Sequence, residues 1–180
     1  MKFVLASQKE YKALPKRVKQ EIERKVDTLR DCLVFNLRKC ESPIEQLLSV
    51  HLIDSVEHFL TKNSIFPTSV DAQIIPQSEI EIYSKVYRLD FHIIVEVFDK
   101  EFNFAVECDG HDFHEKTKEQ ARKDKERDRN LQRIGFTIIR FTGSEIWENP
   151  FKCSMQVIEI IEKETGIDDF RSKEMLINND

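Results

Sequence analysis

Residues 102–141 have a strand-like pattern, then a helical pattern, then a strand-like pattern again. This order restricts the possible folds more than any other feature of the chain. Residues 102–108 have the composition of a buried strand, residues 114–133 form a highly charged helical pattern, and residues 136–141 are again typical of a short buried strand. Two strands joined through a helix lie parallel in one sheet with a right-handed crossover. We therefore predict an α/β domain with helices on both sides of a mixed sheet.

The remaining elements follow from local patterns. Residues 8–38 have helical apolar spacing, which Pro15 divides into a short and a longer helix. A third helix is predicted over 42–62, and strands are predicted over 73–75, 80–83 and 86–98, with a turn at 99–101. A helical turn at 144–147 and a last helix over 151–165 follow the charged helix and the short strand. Residues 167–180 read as a ragged tail. Trp147 and the phenylalanines are expected in the core.

Composition excludes several classes of protein. The 180 residues are 40% hydrophobic and 34% charged, which is typical of a globular domain rather than a disordered chain. No apolar run approaches the roughly 20 residues that span a bilayer, and the start of the chain does not resemble a secretory signal, so we expect no membrane partner. The four cysteines are scattered, which predicts reduced thiols and a cytoplasmic location.

Charge is unevenly distributed along the chain, although the net charge is only −5. Residues 1–40 hold 11 Lys and Arg against 5 Asp and Glu, residues 41–114 hold 4 against 14, and residues 115–133 hold 8 against 5. An acidic centre between two basic helical stretches fits a metal site beside arms that contact phosphates. Mixed-charge helices with solvated faces would give the same counts.

Three carboxylates occupy positions that surface residues would not. Asp90 lies within an apolar run, and Glu107 and Asp109 end the next strand on one face. If the turn at 99–101 pairs these strands, the three carboxylates converge, and such a group is stable only around a cation. Mg²⁺ is the natural ion, with Mn²⁺ as a substitute, and it suits phosphodiester hydrolysis by a metal-bound water.

Two histidines follow directly, in Gly110-His111-Asp112-Phe113-His114. His111 and His114 are candidates for a general acid, a general base or a hydrogen-bond donor to a phosphate. Alternatively, they cap the next helix or lie in solvent. Cys108 completes a Cys-x2-His-x2-His spacing, but no fourth zinc ligand is evident nearby and alternation turns Cys108 away from Glu107.

The ordered set of motifs over residues 42–148 resembles the PD-(D/E)XK nuclease superfamily, and most closely its small branch related to the very-short-patch-repair (Vsr) endonucleases. The matching pieces are Ser42-Pro43-Ile44-Glu45, Arg88-Leu89-Asp90-Phe91, Glu107-Cys108-Asp109-Gly110, the helix pattern Asp124, Arg127, Leu131 and Gly135, and the strand Phe136–Phe141. The resemblance implies a restriction-endonuclease-like α/β/α core over residues 41–166, after an N-terminal helical extension over 1–40 and before the C-terminal tail over 167–180.

The same resemblance implies roles for the site residues. Asp90 and Glu107 would hold the metal, Asp109 would complete or support the site, and Glu45 would reach it from its helix. Leu89 stands where the superfamily has Pro, and Asp109 stands where it has Lys. The work of that Lys would then fall to His111, His114 or Arg127.

Each of these residues also has a purely structural interpretation. Glu45 stands three residues after a Ser N-cap, which is the position of a capping-box Glu. Asp90 would form an ion pair with Arg88, Lys85 or Arg140, Asp109 would belong to an Asp-Gly turn, and Arg127 would be an ordinary solvated or salt-bridged helix residue.

The sequence therefore predicts a Mg²⁺-dependent endonuclease that cuts phosphodiester bonds in DNA. The alternative is a catalytically idle nuclease-fold module that binds nucleic acid or protein, with its N-terminal helices recruiting a partner or forming a homodimer. The same chemistry on RNA has no supporting motif in the chain.

Overall fold

The chain divides into two compact units, Met1–Arg38 and Lys39–Asp180. The structure is a computed structural model and describes residues 8–63, 70–110 and 118–167. In the first unit, α1 (Gln8–Ala13) and α2 (Lys16–Leu37) are separated at Pro15, as its missing N–H and its ring predict. Within the described ranges, no helix is both long and apolar enough to cross a bilayer.

The second unit contains the sheet and the remaining helices. Their bounds are α3 Pro43–Asn63, β1 Val70–Ile82, β2 Lys85–Val97, β3 Lys100–Asp109, α4 Lys118–Arg133, β4 Phe136–Thr142, α5 Gly143–Glu148 and α6 Pro150–Thr165. The sheet order is β1-β2-β3-β4. The first two pairings are antiparallel and β3 pairs with β4 in parallel, which confirms the predicted mixed sheet and the strand–helix–strand step.

Two hydrophobic clusters cover the two faces of the sheet. The larger cluster joins α3 and α6 to β2 and β3 through residues such as Phe59, Phe91 and Ile161. The smaller cluster joins Leu131 of α4 to Leu89 and other residues of the sheet. Helices therefore pack on both faces, and the predicted α/β class is confirmed.

The side chains of the hairpin formed by β1 and β2 switch from one hydrophobic cluster to the other part-way along its length. Phe91 packs in the larger cluster and Leu89 packs in the smaller one, although residues two apart on a regular strand share a face. The register of β1 against β2 is unchanged on either side of this point, so no residue is inserted. The change occurs where Gln77, with a φ of 52°, lies between the paired residues Pro76 and Ser78.

Several details differ from the sequence prediction. The strands predicted at 73–75 and 80–83 are one continuous strand, β1. Trp147 was expected in the core and is 71% exposed, because its neighbour Ile146 is the residue of α5 that turns inward. The described part of the predicted tail also differs: left-handed Gly166 ends α6 and returns Ile167 to the core.

Candidate active site

Asp90 lies where β2 separates from β3. The ladder between these strands ends at the pair Phe91–Val106, whereas β3 continues to Asp109 in its pairing with β4. In place of a backbone acceptor, the Asp90 carboxylate accepts a hydrogen bond from the backbone N–H of Cys108, with 2.7 Å between Cys108 N and Asp90 Oδ2. We call the point where β2 separates from β3, beyond the pair Phe91–Val106, the fork. The fork places the Asp90 side chain beside the end of β3.

Glu107 lies on β3 next to this fork and is 7% exposed. Its Oε1 is 2.6 Å from Nη2 of Arg127 on α4, and the same nitrogen donates to the backbone oxygen of Arg88 at 2.8 Å. Burial raises the pKa of Glu107 to about 6 even though the Arg127 guanidinium opposes the rise. The cost of removing this carboxylate from water therefore exceeds what its ion pair returns.

Asp109 ends β3 and is held by a second arginine. Nη1 of Arg140 lies 3.3 Å from Asp109 Oδ1, and Nη2 of the same side chain lies 2.6 Å from Asp128 Oδ1 on α4. Arg140 is the register partner of Glu107 on β4, so it projects from the neighbouring strand. Arg140 links the end of β3 to α4.

Glu45 is buried at the start of α3 and accepts three hydrogen bonds. Its carboxylate takes 2.8 Å and 2.6 Å contacts from Glu41 N and Ser42 Oγ, and Ser42 Oγ in turn accepts from Glu45 N at 3.3 Å. Glu45 therefore takes part in a variant of the capping box, in which its carboxylate accepts from the backbone N–H of Glu41 instead of that of the N-cap residue Ser42. The third donor is Gln77 Nε2 at 2.8 Å, which ties the helix start to β1.

The carboxylates of Asp90, Glu45 and Asp109 are close enough for their charges to interact. Burial raises the pKa of Asp90 above its ordinary value, and the charges of Glu45 and Asp109 raise it further. The Cys108 N–H and Arg127 oppose part of this rise. Helix α3, strand β2 and the end of β3 therefore bring negative charge together at the fork, which favours a bound cation.

The donor chemistry fits a hard cation. Across residues 8–63, 70–110 and 118–167 there is no group of three or more His, Cys, Asp or Glu side chains arranged to hold a metal ion. Mg²⁺, however, is often held by only one or two carboxylates together with water and substrate phosphate. Asp90 and Glu107 each keep one oxygen that accepts no hydrogen bond from the described part of the chain, so they offer two such ligands.

Five of the predicted site residues lie around the fork: Asp90, Glu107, Asp109, Glu45 and Arg127. His111 and His114 lie outside the described residues. The cations considered as partners for Asp90 bind elsewhere: Arg88 pairs with Glu41, Lys85 with Glu126, and Arg140 with Asp109 and Asp128.

Sequence reasoning missed Gln77 and gave Arg140 no role with Asp109. The signal for Gln77 was the interruption between two predicted strand segments, at Pro76-Gln77-Ser78. The signal for Arg140 was a charged residue inside the short apolar strand β4.

The comparison with family models identifies the family of the chain. Residues 68–161, slightly more than half of the chain, match the model of the family REase_MTES_1575. The matched segment contains Asp90, Glu107, Asp109 and Arg127, and Glu45 precedes it. No curated protein and no solved structure matches the chain. The chain thus belongs to REase_MTES_1575, a restriction-endonuclease-like family.

Proposed function

We propose that the protein is a Mg²⁺-dependent endonuclease that hydrolyses phosphodiester bonds in DNA by the chemistry of the PD-(D/E)XK enzymes. The observation that carries this proposal is the Asp90 carboxylate at the sheet fork. Its pKa is raised by burial and by the charges of Glu45 and Asp109. A carboxylate kept in such a position is costly to the fold, and costs of this kind concentrate at functional sites.

Asp90 and Glu107 are the residues that would hold the ion. When bound there, Mg²⁺ orients the phosphate, lowers the pKa of an attacking water and neutralises charge on the leaving oxygen. Arg127 fixes Glu107 in one orientation through the 2.6 Å contact, and its positive charge reduces the repulsion that an anionic phosphate meets at the carboxylates. Arg140 orients Asp109 in the same way.

The proposed DNA partner is supported by the charge of α4. This helix turns Arg127 toward the site and bears exposed cations along the rest of its surface, namely Lys118, Arg122, Lys123, Lys125, Arg129 and Arg133. Cations beside a phosphodiester-cleaving site are suited to the nucleic-acid backbone rather than to base edges, so they give affinity without sequence preference.

A cleavage assay on the full chain tests this function. Supercoiled, linear and single-stranded DNA and RNA are incubated with Mg²⁺ or Mn²⁺, with EDTA as the metal control. The account expects metal-dependent cleavage of at least one DNA substrate, which Asp90→Asn loses and Glu96→Gln retains. Glu96 is a matched control because it is an exposed acid on the same strand. Cleavage of RNA alone would overturn the proposed substrate.

A second candidate function is an idle nuclease-fold module that binds a nucleic acid or a protein. The observation that favours it is the pairing of Glu107 with Arg127 and of Asp109 with Arg140, which gives two carboxylates cationic partners from the chain itself. A thermal-shift titration separates the two functions, because an idle site gives no stabilisation by Mg²⁺ or Mn²⁺.

A further inference from the structure

We propose that Gln77 is a positioning residue of the carboxylate site. Its amide N–H holds Glu45 in place, and its amide oxygen accepts a hydrogen bond from a water molecule in the shell of the divalent cation. This inference rests on the proposed metal-dependent function. It adds a residue of β1 that neither the motif resemblance nor the family match assigns.

The backbone of Gln77 is the first observation. Its φ of 52° is uncommon for a residue other than glycine and is retained only where the surrounding structure enforces it. Among the described residues other than glycine, three further positive φ values occur, and all three lie in two-residue hairpin loops, where such values are favoured. Tyr83 and Ser84 form the loop between β1 and β2, and Phe98 lies in the loop between β2 and β3. Gln77 lies inside a 13-residue strand, so turn geometry does not account for it.

The location of this residue is the second observation. The pairs Pro76–Phe91 and Ser78–Leu89 flank it, so Gln77 stands opposite Asp90 in the register of the hairpin. The hairpin also changes its packing face at this point, so the unusual conformation of Gln77 coincides with the fork at which the Asp90 carboxylate lies.

The side chain of Gln77 is the third observation. Nε2 donates to Glu45 Oε2 at 2.8 Å, and because an ionised carboxylate can only accept, the amide must present its nitrogen to Glu45. The amide oxygen, Oε1, is then directed elsewhere. It is buried and has no hydrogen-bond partner in the described part of the chain.

An unpartnered buried acceptor beside a cation site indicates a donor that arrives with the cation. Buried polar atoms in native proteins nearly always have a partner. Mg²⁺ retains several water molecules when it binds carboxylates, and such waters are hydrogen-bond donors. Groups that contact the ligand shell of a metal without binding the metal itself commonly change its affinity by about 10- to 100-fold.

The test compares two substitutions of Gln77 with a matched control in the full chain. Gln77→Gly removes the amide and relieves the positive φ, whereas Gln77→Met removes the amide and keeps a side chain of similar length. Ser84→Gly is the control, because it relieves a similar φ of 61° in the hairpin loop. The free Mn²⁺ signal in electron paramagnetic resonance measures cation binding, thermal unfolding in EDTA measures the fold, and cleavage of DNA measures kcat and KM.

Gln77→Gly loses the hydrogen bond to Glu45 but relieves the positive φ and removes the unpartnered amide oxygen, so we expect it to unfold near the wild-type temperature. Its Kd for Mn²⁺ and that of Gln77→Met should rise about 10-fold or more, with a lower kcat and an unchanged KM for DNA. Ser84→Gly should bind and cleave as the wild type does.

The alternative outcomes separate this inference from the proposed function. If both Gln77 variants bind Mn²⁺ and cleave DNA like the wild type, the role of Gln77 is wrong and the nuclease function stands. If both variants bind Mn²⁺ more weakly and also unfold at a clearly lower temperature in EDTA, the weaker binding follows from damage to the fold. Gln77 is then structural and the inference is also wrong. If the wild type neither binds Mn²⁺ nor cleaves, the proposed function fails and the role of Gln77 fails with it.

Discussion

Glu107 and Arg127 form the most deeply buried ion pair among the described residues, with 2.6 Å between Oε1 and Nη2 and side-chain exposures of 9% and 16%. The pair joins the end of β3 to α4. Burial nevertheless raises the pKa of Glu107 to about 6, so the ionised carboxylate lowers the stability of the fold. A group that costs stability and stands beside Asp90 supports the catalytic role that we propose for it.

The titration of Glu107 predicts a pH-dependent stability. The pKa of Glu107 rises from 4.5 in the unfolded chain to about 6 in the folded one, so the folded state binds the proton more tightly. The stability that this proton contributes to the fold is fully present below pH 4.5 and is lost as the pH rises through 6. This shift corresponds to a loss of about 2 kcal/mol. We expect Glu107→Gln to exceed the wild type in free energy of unfolding by up to this amount at pH 7.5 and to match it near pH 4.5. Urea unfolding in EDTA measures the difference, and an equal difference at both pH values would contradict it.

Removal of Arg127 should be strongly destabilising. Arg127→Ala leaves the Glu107 carboxylate buried without its cation, and breaking a buried pair costs about 3 kcal/mol. The loss should shrink near pH 5, where Glu107 binds a proton and needs no partner. Arg129→Ala, an exposed arginine two residues along the same helix, should change the stability by less than about 0.5 kcal/mol. Similar losses from the two variants would show that the pair has no special role.

Adjacent residues of α5 should respond very differently to truncation. Ile146 is fully buried and Trp147 is 71% exposed. Ile146→Ala should cost about 2–5 kcal/mol, as for other core truncations, whereas Trp147→Ala should cost less than about 0.5 kcal/mol. Chemical denaturation of both variants checks this orientation of α5, and a larger loss from Trp147→Ala would reverse it.

Binding to DNA should weaken steeply with salt. Each phosphate contact contributes about −0.9 to the slope of log K against log salt concentration. The double variant Arg122→Ala, Arg129→Ala removes two exposed cations of α4, so its slope should be smaller by about 2 units. The measurement is fluorescence anisotropy on a duplex of mixed sequence in EDTA. An unchanged slope would exclude α4 as a phosphate-contacting surface.

Much of the fold follows from patterns that are local in sequence. The strand–helix–strand step over residues 102–141 required a parallel pair, and β3 and β4 form one. Apolar periodicity and Pro15 located the helices. These inferences about the fold are confirmed because periodicity and backbone preference are local properties of the sequence. Asp90 was singled out because Asp is unfavourable inside a strand, and its role in the site stays a prediction.

The missed features depend on tertiary contacts. The left-handed conformation of Gln77 occurs together with the change of packing face and with the hydrogen bond to Glu45. None of these features can be read from the residue type, because glutamine does not favour this conformation. The exposure of Trp147 was missed because α5 has only six residues, too few for periodicity to distinguish its inner from its outer face.

The proposed nuclease function depends on Asp90, so the decisive measurement is the rate of supercoiled DNA cleavage by the wild type and by Asp90→Asn with Mg²⁺ or Mn²⁺ present. Asparagine retains an oxygen that can accept from the Cys108 N–H, so the fold should survive, and unfolding in EDTA confirms that it does. The account predicts metal-dependent nicking or linearisation by the wild type and a loss of about 100-fold or more in the variant, within the range by which loss of catalytic charge stabilisation slows enzymes. Equal cleavage by the two proteins, or cleavage that persists in EDTA, would contradict it.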